Sequence, residues 1–172
     1  MTFDDLVTIM GALNASGVRY LIAGGVAVNL HGYTRLTQDL DIVVDLVPEN
    51  ALAAMRTLAE LGYRPGVPVG IEDFADPELR RDWVENKHMQ VFSLNSETHR
   101  DTVVDVFADA PFDFGEEYDA ATVYDLDERV TVRVVRPETL IQMKEAVGRD
   151  RDLDDVVHLR WILEQDGPGP MR

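Results

Sequence analysis

The chain has 172 residues, 45% of them hydrophobic and 28% charged, enough for one globular domain with a helical appendage and too apolar for a disordered protein. It has no cysteine, which excludes a disulfide framework and a thiolate zinc site. Its formal net charge of -16 excludes polynucleotide binding by bulk electrostatics, which needs a basic surface; a polynucleotide would have to be held by a local basic patch or by metal ions.

Asp4 to Ala15 carries Leu6, Ile9, Met10 and Leu13 at helical spacing, and Gly17 ends that helix. Val18 to Ala23 reads as a short buried strand. Gly24-Gly25 then makes a tight turn into a short helix from Val26 to His31, which breaks near Gly32. Leu40 to Leu46 is the second strand. Pro48 opens a helix through Leu61, with Gly62 as its C-cap. Residues 64 to 75, rich in Pro and Gly, read as a strand edge and a loop, and Pro77 to Asn86 as a short helix. His88 to Leu94 and Thr102 to Phe107 are further strands, joined by the polar turn Asn95 to Asp101. Ala108 to Tyr118 reads as a loop. Thr122 to Tyr124 and Val130 to Val135 are short strands around the turn Asp125 to Arg129. Pro137, in a favoured first-turn position, opens a helix to Val147, and Asp150 to Glu164 is the last helix.

The order predicts an α/β (α+β) protein: a small mixed sheet flanked by helices, with C-terminal helices. Residues 1–165 make one domain, with a core of about 1–135 and helices over 137–165. The tail 166–172, rich in Pro and Gly, is expected to be disordered. The N-terminal stretch lacks a cationic start followed by an apolar core, and no run approaches ~18 apolar residues. The expectation is a cytoplasmic protein without a membrane partner.

The most informative feature is Asp39-Leu40-Asp41, with thirteen residues between Gly25 and Asp39. Residues i and i+2 of a strand share a face, so two carboxylates stand together while Leu40, Ile42 and Val44 face the other way. Adjacent like charges gain nothing for folding. They suit two divalent cations, because oxygen ligands hold Mg²⁺ and paired ions can clamp a phosphoryl group in transfer. The Gly24-Gly25 turn lets backbone approach a phosphate, and a helix start presents N–H groups to it. Neither the dinucleotide-binding glycine pattern nor the P-loop is present. The candidate third carboxylate is Asp105, a lone charge in the apolar strand Thr102 to Phe107, where burial is costly unless the group is paired or binds a metal. Asp101 and Asp109 are weaker rivals in loop-like sequence.

Lys144 lies on the apolar stripe of its helix with Leu140 and Val147. An ammonium there either snorkels to the rim or points into a cleft, and binding of a triphosphate is the reading taken. Asp152 borders the buried face of the last helix, as a first-turn acid compensating the helix dipole or as a partner that positions Lys144 or Arg149. Thr37 shares the strand parity of Asp39 and Asp41, and Arg35 contacts phosphate or braces the aspartates. Six of the 16 Lys and Arg residues lie between 129 and 151 (Arg129, Arg133, Arg136, Lys144, Arg149 and Arg151), as a basic patch or as ordinary solvated surface. His31, His88, His99 and His158 show no metal-ligand spacing and read as structural or exposed.

Gly24-Gly25, Asp39-Leu40-Asp41 and Asp105 together resemble the nucleotidyltransferase superfamily that includes DNA polymerase beta. The longer run from Ile22 to Ile42, with Pro137 to Lys144 and Arg149 to Asp155, is most similar to the AbiEii-type abortive-infection nucleotidyltransferases, which act as toxins of toxin–antitoxin pairs. The resemblance implies that Asp39, Asp41 and Asp105 are catalytic metal ligands for two Mg²⁺ ions, with Mn²⁺ as an alternative. It implies that Gly24 and Gly25 contact the triphosphate and that Lys144 and Asp152 are further functional positions. Gly-Gly stands where the superfamily often has Gly-Ser, so backbone N–H groups take the place of a serine hydroxyl.

The implied reaction is nucleotidyl transfer from a nucleoside triphosphate to an acceptor hydroxyl, with pyrophosphate released. The acceptor stays open among RNA, protein and small molecule, and a cognate antitoxin is an implied partner. Two other readings stand beside it. One is a catalytically weak nucleotide-binding or regulatory protein, whose acidity suits a basic partner. The other is a transferase acting on a cationic small molecule such as an aminoglycoside.

Overall fold

The computed structural model of the chain describes residues 1–166; the expected disordered tail lies, past Asp166, outside the described residues. Seven strands form one mixed sheet. They are β1 (Tyr20–Ile22), β2 (Asp39–Val44), β3 (Tyr63–Pro65), β4 (Val91–Ser96), β5 (Val103–Phe107), β6 (Thr122–Asp125) and β7 (Thr131–Val134), in the order β3-β4-β5-β2-β1-β7-β6. β2 pairs in parallel with β5, and β1 with β7; the other neighbours are antiparallel. The helices are α1 (Phe3–Ala15), α2 (Gly24–Leu30), α3 (Pro48–Glu60), α4 (Pro77–Lys87), α5 (Phe114–Ala120), α6 (Pro137–Val147) and α7 (Asp150–Asp166), with a 3-10 turn at Ile71–Ala75. Among the described residues no helix is long and apolar enough to cross a membrane.

Local chemistry sets most boundaries. Thr2 and Asp5 form a reciprocal capping box at the start of α1, satisfying N–H groups that a helix start leaves without partners. Leu6, Ile9, Met10 and Leu13 then form its buried stripe. Pro48 and Pro137 begin α3 and α6, where a missing N–H costs nothing. The core is continuous across the sheet: Leu21, Ile22, Leu40, Ile42, Val104 and Val106 are all fully buried.

Most boundaries shift by one to three residues from the sequence reading, β2 for example running Asp39–Val44 rather than Leu40–Leu46, and three departures have a clear cause. The helix after β1 starts at Gly24 rather than Val26, with Ala23 as an extended N-cap. β4 starts at Val91 rather than His88, because His88 takes a left-handed conformation (φ 53°) that caps α4. The segment 108–118 is not a loop throughout, since α5 begins within it.

The signal for α5 was hidden because a charged residue occupies its inward position. Asp113 caps the helix, its Oδ1 accepting from the Glu116 N–H at 2.9 Å. Glu117 is buried and accepts from the Arg136 N–H (2.8 Å), Arg136 Nη2 (2.7 Å) and Thr139 Oγ1 (2.8 Å). It thereby ties α5 to the start of α6. Tyr118, on the same short helix, carries the guanidinium groups of Arg19 and Arg133 over its ring at 4.5 and 4.6 Å, an arrangement that binds charge to an apolar face.

Burial alone would raise the Glu117 pKa, but the hydrogen bonds from Arg136 and Thr139 outweigh it and hold the carboxyl below its ordinary value. Its stabilisation is therefore complete above the ordinary glutamate range and is lost as pH falls through the folded value. Glu117→Gln, which keeps the shape, is expected to lower the urea midpoint at pH 7 by the equivalent of about 1.5–3 kcal/mol. An unchanged midpoint would show that this network does not hold α5 in place.

Candidate active site

The first wall of the site follows from strand register. In the parallel pair of β2 and β5, Asp41 stands directly opposite Asp105, and Asp39 opposite Val103. Same-face parity puts Asp39, Asp41 and Asp105 on one surface, while Leu40, Ile42, Val104 and Val106 fill the core on the other. Val43, which shares the carboxylates' face, is also fully buried, so this face opens only at the Asp39–Asp41 end of the strand. On the far side of β5, Ser93 pairs with Asp105, and its Oγ donates to Asp105 Oδ1 at 2.5 Å.

Among the described residues none of the three aspartates forms an ion pair with a cation. Burial, followed by the charges of Asp105 and Asp39, pushes the Asp41 carboxyl up to about 6. Burial also raises Asp105, with Asp39 adding to it and the Ser93 hydrogen bond opposing it. The trio is an anionic cluster without a direct ion pair, only partly offset by the nearby Lys144 charge, which opposes the rise at Asp41.

The glycine turn lies against this wall. Gly24 has φ +58°, and a Cβ added there would sit 1.8 Å from Asp41 Oδ2. A side chain is therefore excluded both by backbone conformation and by the carboxylate itself. A Cβ on Gly25 would meet Thr37 Oγ1 at 2.6 Å and Arg35 Nη1 at 3.1 Å, so these two side chains cover the turn. The Gly25 N–H is hydrogen-bonded to Asp41.

The opposite wall is basic and comes from the C-terminal helices. Lys144 of α6 is buried, and its Nζ lies 2.7 Å from Asp155 Oδ2 and 3.6 Å from Asp152 Oδ1. It therefore does not snorkel to solvent; two acids of α7 hold it. Asp152 also accepts from Arg149 Nε at 2.7 Å. Burial works against ionisation of Asp152 and Asp155, but hydrogen bonds from Arg149 to the former, and from Arg35 and Lys144 to the latter, hold both below the ordinary aspartate value.

The two walls enclose a cavity of about 620 Å³ lined by Gly24, Gly25, Arg35, Thr37, Asp39, Asp41, Asp105, Lys144 and Asp152, which are all nine residues singled out from the sequence. Of the suspected basic patch, Lys144, Arg149 and Arg151 line this cavity, whereas Arg136 pairs with Glu117 and Arg133 lies over Tyr118. The four histidines stay outside it. His31 bridges the Tyr124 hydroxyl and the Val135 carbonyl, and His99 pairs with Asp5. Sequence reasoning missed Ser93, Asp155 and the apolar lining of Phe107, Phe112 and Met143. Asp155 lies three residues after Asp152 on the inward helix face, a spacing that could have pointed to it.

Among the described residues no three His, Asp or Glu side chains already stand so that they could hold one metal ion. The aspartates still suit a hard divalent cation. All their donors are oxygen, none is engaged in a direct ion pair, and Mg²⁺ in such sites takes one or two carboxylates together with substrate phosphates rather than a closed protein cage.

No protein-family model and no curated protein matches the chain. Solved structures share its fold. The lincomycin-bound lincosamide antibiotic adenylyltransferase LnuA is 16% identical with a TM-score of 0.60, covering 94% of this chain and 98% of its own. The antibiotic-resistance factor ANT(2'')-Ia is 16% identical with a TM-score of 0.57, covering 96% and 86%. An antigenic nucleotidyltransferase-like protein from Paracoccidioides brasiliensis is 16% identical with a TM-score of 0.53, covering 91% and 74%. The mixed sheet and its helices thus have the fold of nucleotidyltransferases.

The electrostatics of the acidic wall can be checked by thermal denaturation in chelator. The folded pKa of Asp41, about 6, lies above its ordinary 3.8. Above about pH 6 the charged group destabilises the fold; as pH falls toward 4, the native state takes up the proton first and the penalty disappears. Asp41→Asn should therefore stabilise the metal-free protein at pH 7.5 by about 1–2 kcal/mol after allowance for solvent screening, and by almost nothing at pH 4. A difference that is independent of pH would show that the cluster carries no such repulsion.

Proposed function

We propose that this protein is a metal-dependent nucleotidyltransferase, moving a nucleoside monophosphate from a triphosphate to an acceptor hydroxyl with release of pyrophosphate. One observation carries the reading: Asp39, Asp41 and Asp105 converge, unpaired, against a glycine turn in a cavity whose other wall is cationic. Such a cluster opposes folding, and its division of charge matches a polyphosphate bound through metal ions on one side and cations on the other.

In this reading Gly24 and Gly25 let the triphosphate approach the backbone, and Thr37, Arg35 and Lys144 hold its oxygens, with Asp152 orienting Lys144. Mg²⁺ or Mn²⁺, bound by Asp39, Asp41 and Asp105 with the phosphates, would neutralise the leaving oxygens and lower the pKa of the acceptor hydroxyl. The acceptor oxygen forms a bond to the α-phosphorus, and the bond from that phosphorus to the bridging oxygen of the β-phosphate breaks. Asp105 takes the acceptor's proton, helped by a pKa raised through burial.

Two acceptor classes have specific support. The motifs around Asp39, Lys144 and Asp152 resemble AbiEii-type toxins, which supports a macromolecular acceptor, a role in a toxin–antitoxin or phage-defence pair, and a basic protein partner for this acidic chain. Two proteins of the same fold are a lincosamide antibiotic adenylyltransferase and an antibiotic-resistance factor. With the net charge of -16, they support a cationic small-molecule acceptor drawn in by the surface field.

Incubation with labelled nucleoside triphosphates and Mg²⁺, with RNA, protein and aminoglycoside acceptors in parallel, tests the reaction and separates these classes. Pyrophosphate release with one acceptor is the expected result; binding of triphosphate without release would leave a nucleotide-binding protein. Asp105→Asn should lower transfer by ~10²-fold or more with the melting temperature unchanged or raised. A large loss of stability with full activity per folded molecule would overturn its role. Asp39→Ala/Asp41→Ala should lose Mg²⁺-dependent triphosphate binding in calorimetric titration, and wild-type affinity in that variant would refute the metal assignment.

A further inference from the structure

We propose that Asp155 is a positioning residue that aims Arg35 at the triphosphate; the inference rests on the nucleotidyl-transfer reading above. Asp155 is fully buried and is not among the residues lining the cavity. Its Oδ1 accepts from Arg35 Nε at 2.6 Å and its Oδ2 from Arg35 Nη2 at 2.7 Å. Oδ2 also meets Lys144 Nζ at 2.7 Å. One carboxylate therefore stands behind two cations that line the cavity.

The fork fixes which nitrogen Arg35 presents. With Nε and Nη2 engaged, Nη1 is directed to the glycine turn, 3.1 Å from where a Gly25 Cβ would lie, and it also donates to the Leu36 carbonyl at 3.2 Å. A planar guanidinium gripped at two points has a set orientation, which an ammonium could not copy.

Docking of the loop between α2 and β2 onto its surroundings does not require Asp155. Asn29 holds the Arg35 backbone from both sides, accepting from its N–H at 3.0 Å and donating to its carbonyl at 2.9 Å. Tyr33 donates to Asp154 at 2.7 Å, and Arg151 donates to the Leu36 carbonyl. The loop is thus tied to α2 and α7 independently. What Asp155 adds is the direction of the Arg35 side chain, and a buried carboxylate is an expensive way to add mere adhesion.

Calorimetric titration of Mg²⁺ complexes of ATP, GTP, CTP and UTP, and of the four monophosphates, tests this. Asp155→Asn keeps the shape and weakens the fork. It should reduce triphosphate affinity by about tenfold or more, the scale of one lost charge-assisted hydrogen bond, with monophosphate affinity little changed. Arg35→Lys keeps the charge and loses the fork, so it should show the same loss, and the double variant should be no worse than either single one.

Asp155→Asn binding triphosphate as wild type does would overturn the proposal, as would losses that add in the double variant or are equal for mono- and triphosphates. Should Asp155→Asn not fold, Arg35→Lys decides: wild-type triphosphate affinity in that variant overturns the proposal, and the selective loss supports it. Wild-type protein that binds none of the four triphosphates refutes the nucleotide reading itself, an outcome distinct from failure at Asp155.

Discussion

The parallel pairing of β2 with β5 is the constraint on which the site depends. It sets Asp41 beside Asp105 in register, on a face that the rest of the sheet keeps covered. Like charges directly opposite one another destabilise a strand pair. The fold tolerates them because their neighbours along the same strands, Leu40, Ile42, Val104 and Val106, are fully buried on the other face. Each apolar side chain removed from water contributes roughly 1.5–3 kcal/mol, which exceeds the repulsion of a half-solvated cluster. A one-residue slip in this register would exchange the faces, placing the carboxylates in the core and the aliphatic side chains in the cavity.

The distribution of charge is as telling as its sign. Among the described residues, Asp39, Asp41 and Asp105 of the sheet form no direct ion pair, whereas two buried acids of α7 are saturated: Asp152 with Arg149 and Lys144, Asp155 with Arg35 and Lys144. An acid whose partner is already in place has its pKa lowered and stabilises the fold; one surrounded by other acids has it raised and weakens the fold. Both occur around one cavity. The stable network supplies a rigid basic wall, and the strained one keeps ligand positions open for a multiply charged guest. This contrast explains why an acidic chain still presents a cationic surface where a phosphate would need it.

Gly24 links the two halves of the cavity. Its left-handed backbone conformation admits the turn, and the space its missing side chain leaves is taken by the Asp41 carboxylate. Thr37 and Arg35 close over Gly25 in the same way. The turn therefore belongs to the packing of the acidic wall as well as to any ligand, and the loop between α2 and β2 brings both walls into contact with it.

The sequence by itself determined most of the elements, though not α5, and nine of the residues that line the cavity, though not the supporting Ser93 or Asp155. Period-two alternation placed Asp39 and Asp41 on one strand face, helical spacing placed Lys144 on a buried stripe, Pro48 and Gly62 marked the ends of α3, and Pro137 marked the start of α6. These are local rules, acting within a few residues. Tertiary structure alone decided the partners. That Asp105 stands opposite Asp41, that Ser93 donates to it, and that Asp155 grips Arg35 across 120 residues follow from strand order and helix docking, which no local pattern encodes. The same reason hid α5: its inward residue is Glu117, and a charge at a core position signals solvent until Arg136 and Thr139 are seen to meet it. Sequence fixes which groups carry charge and which face they share; only the folded chain decides whether each finds a counter-charge, and that difference separates the acids that stabilise this protein from those left free to bind.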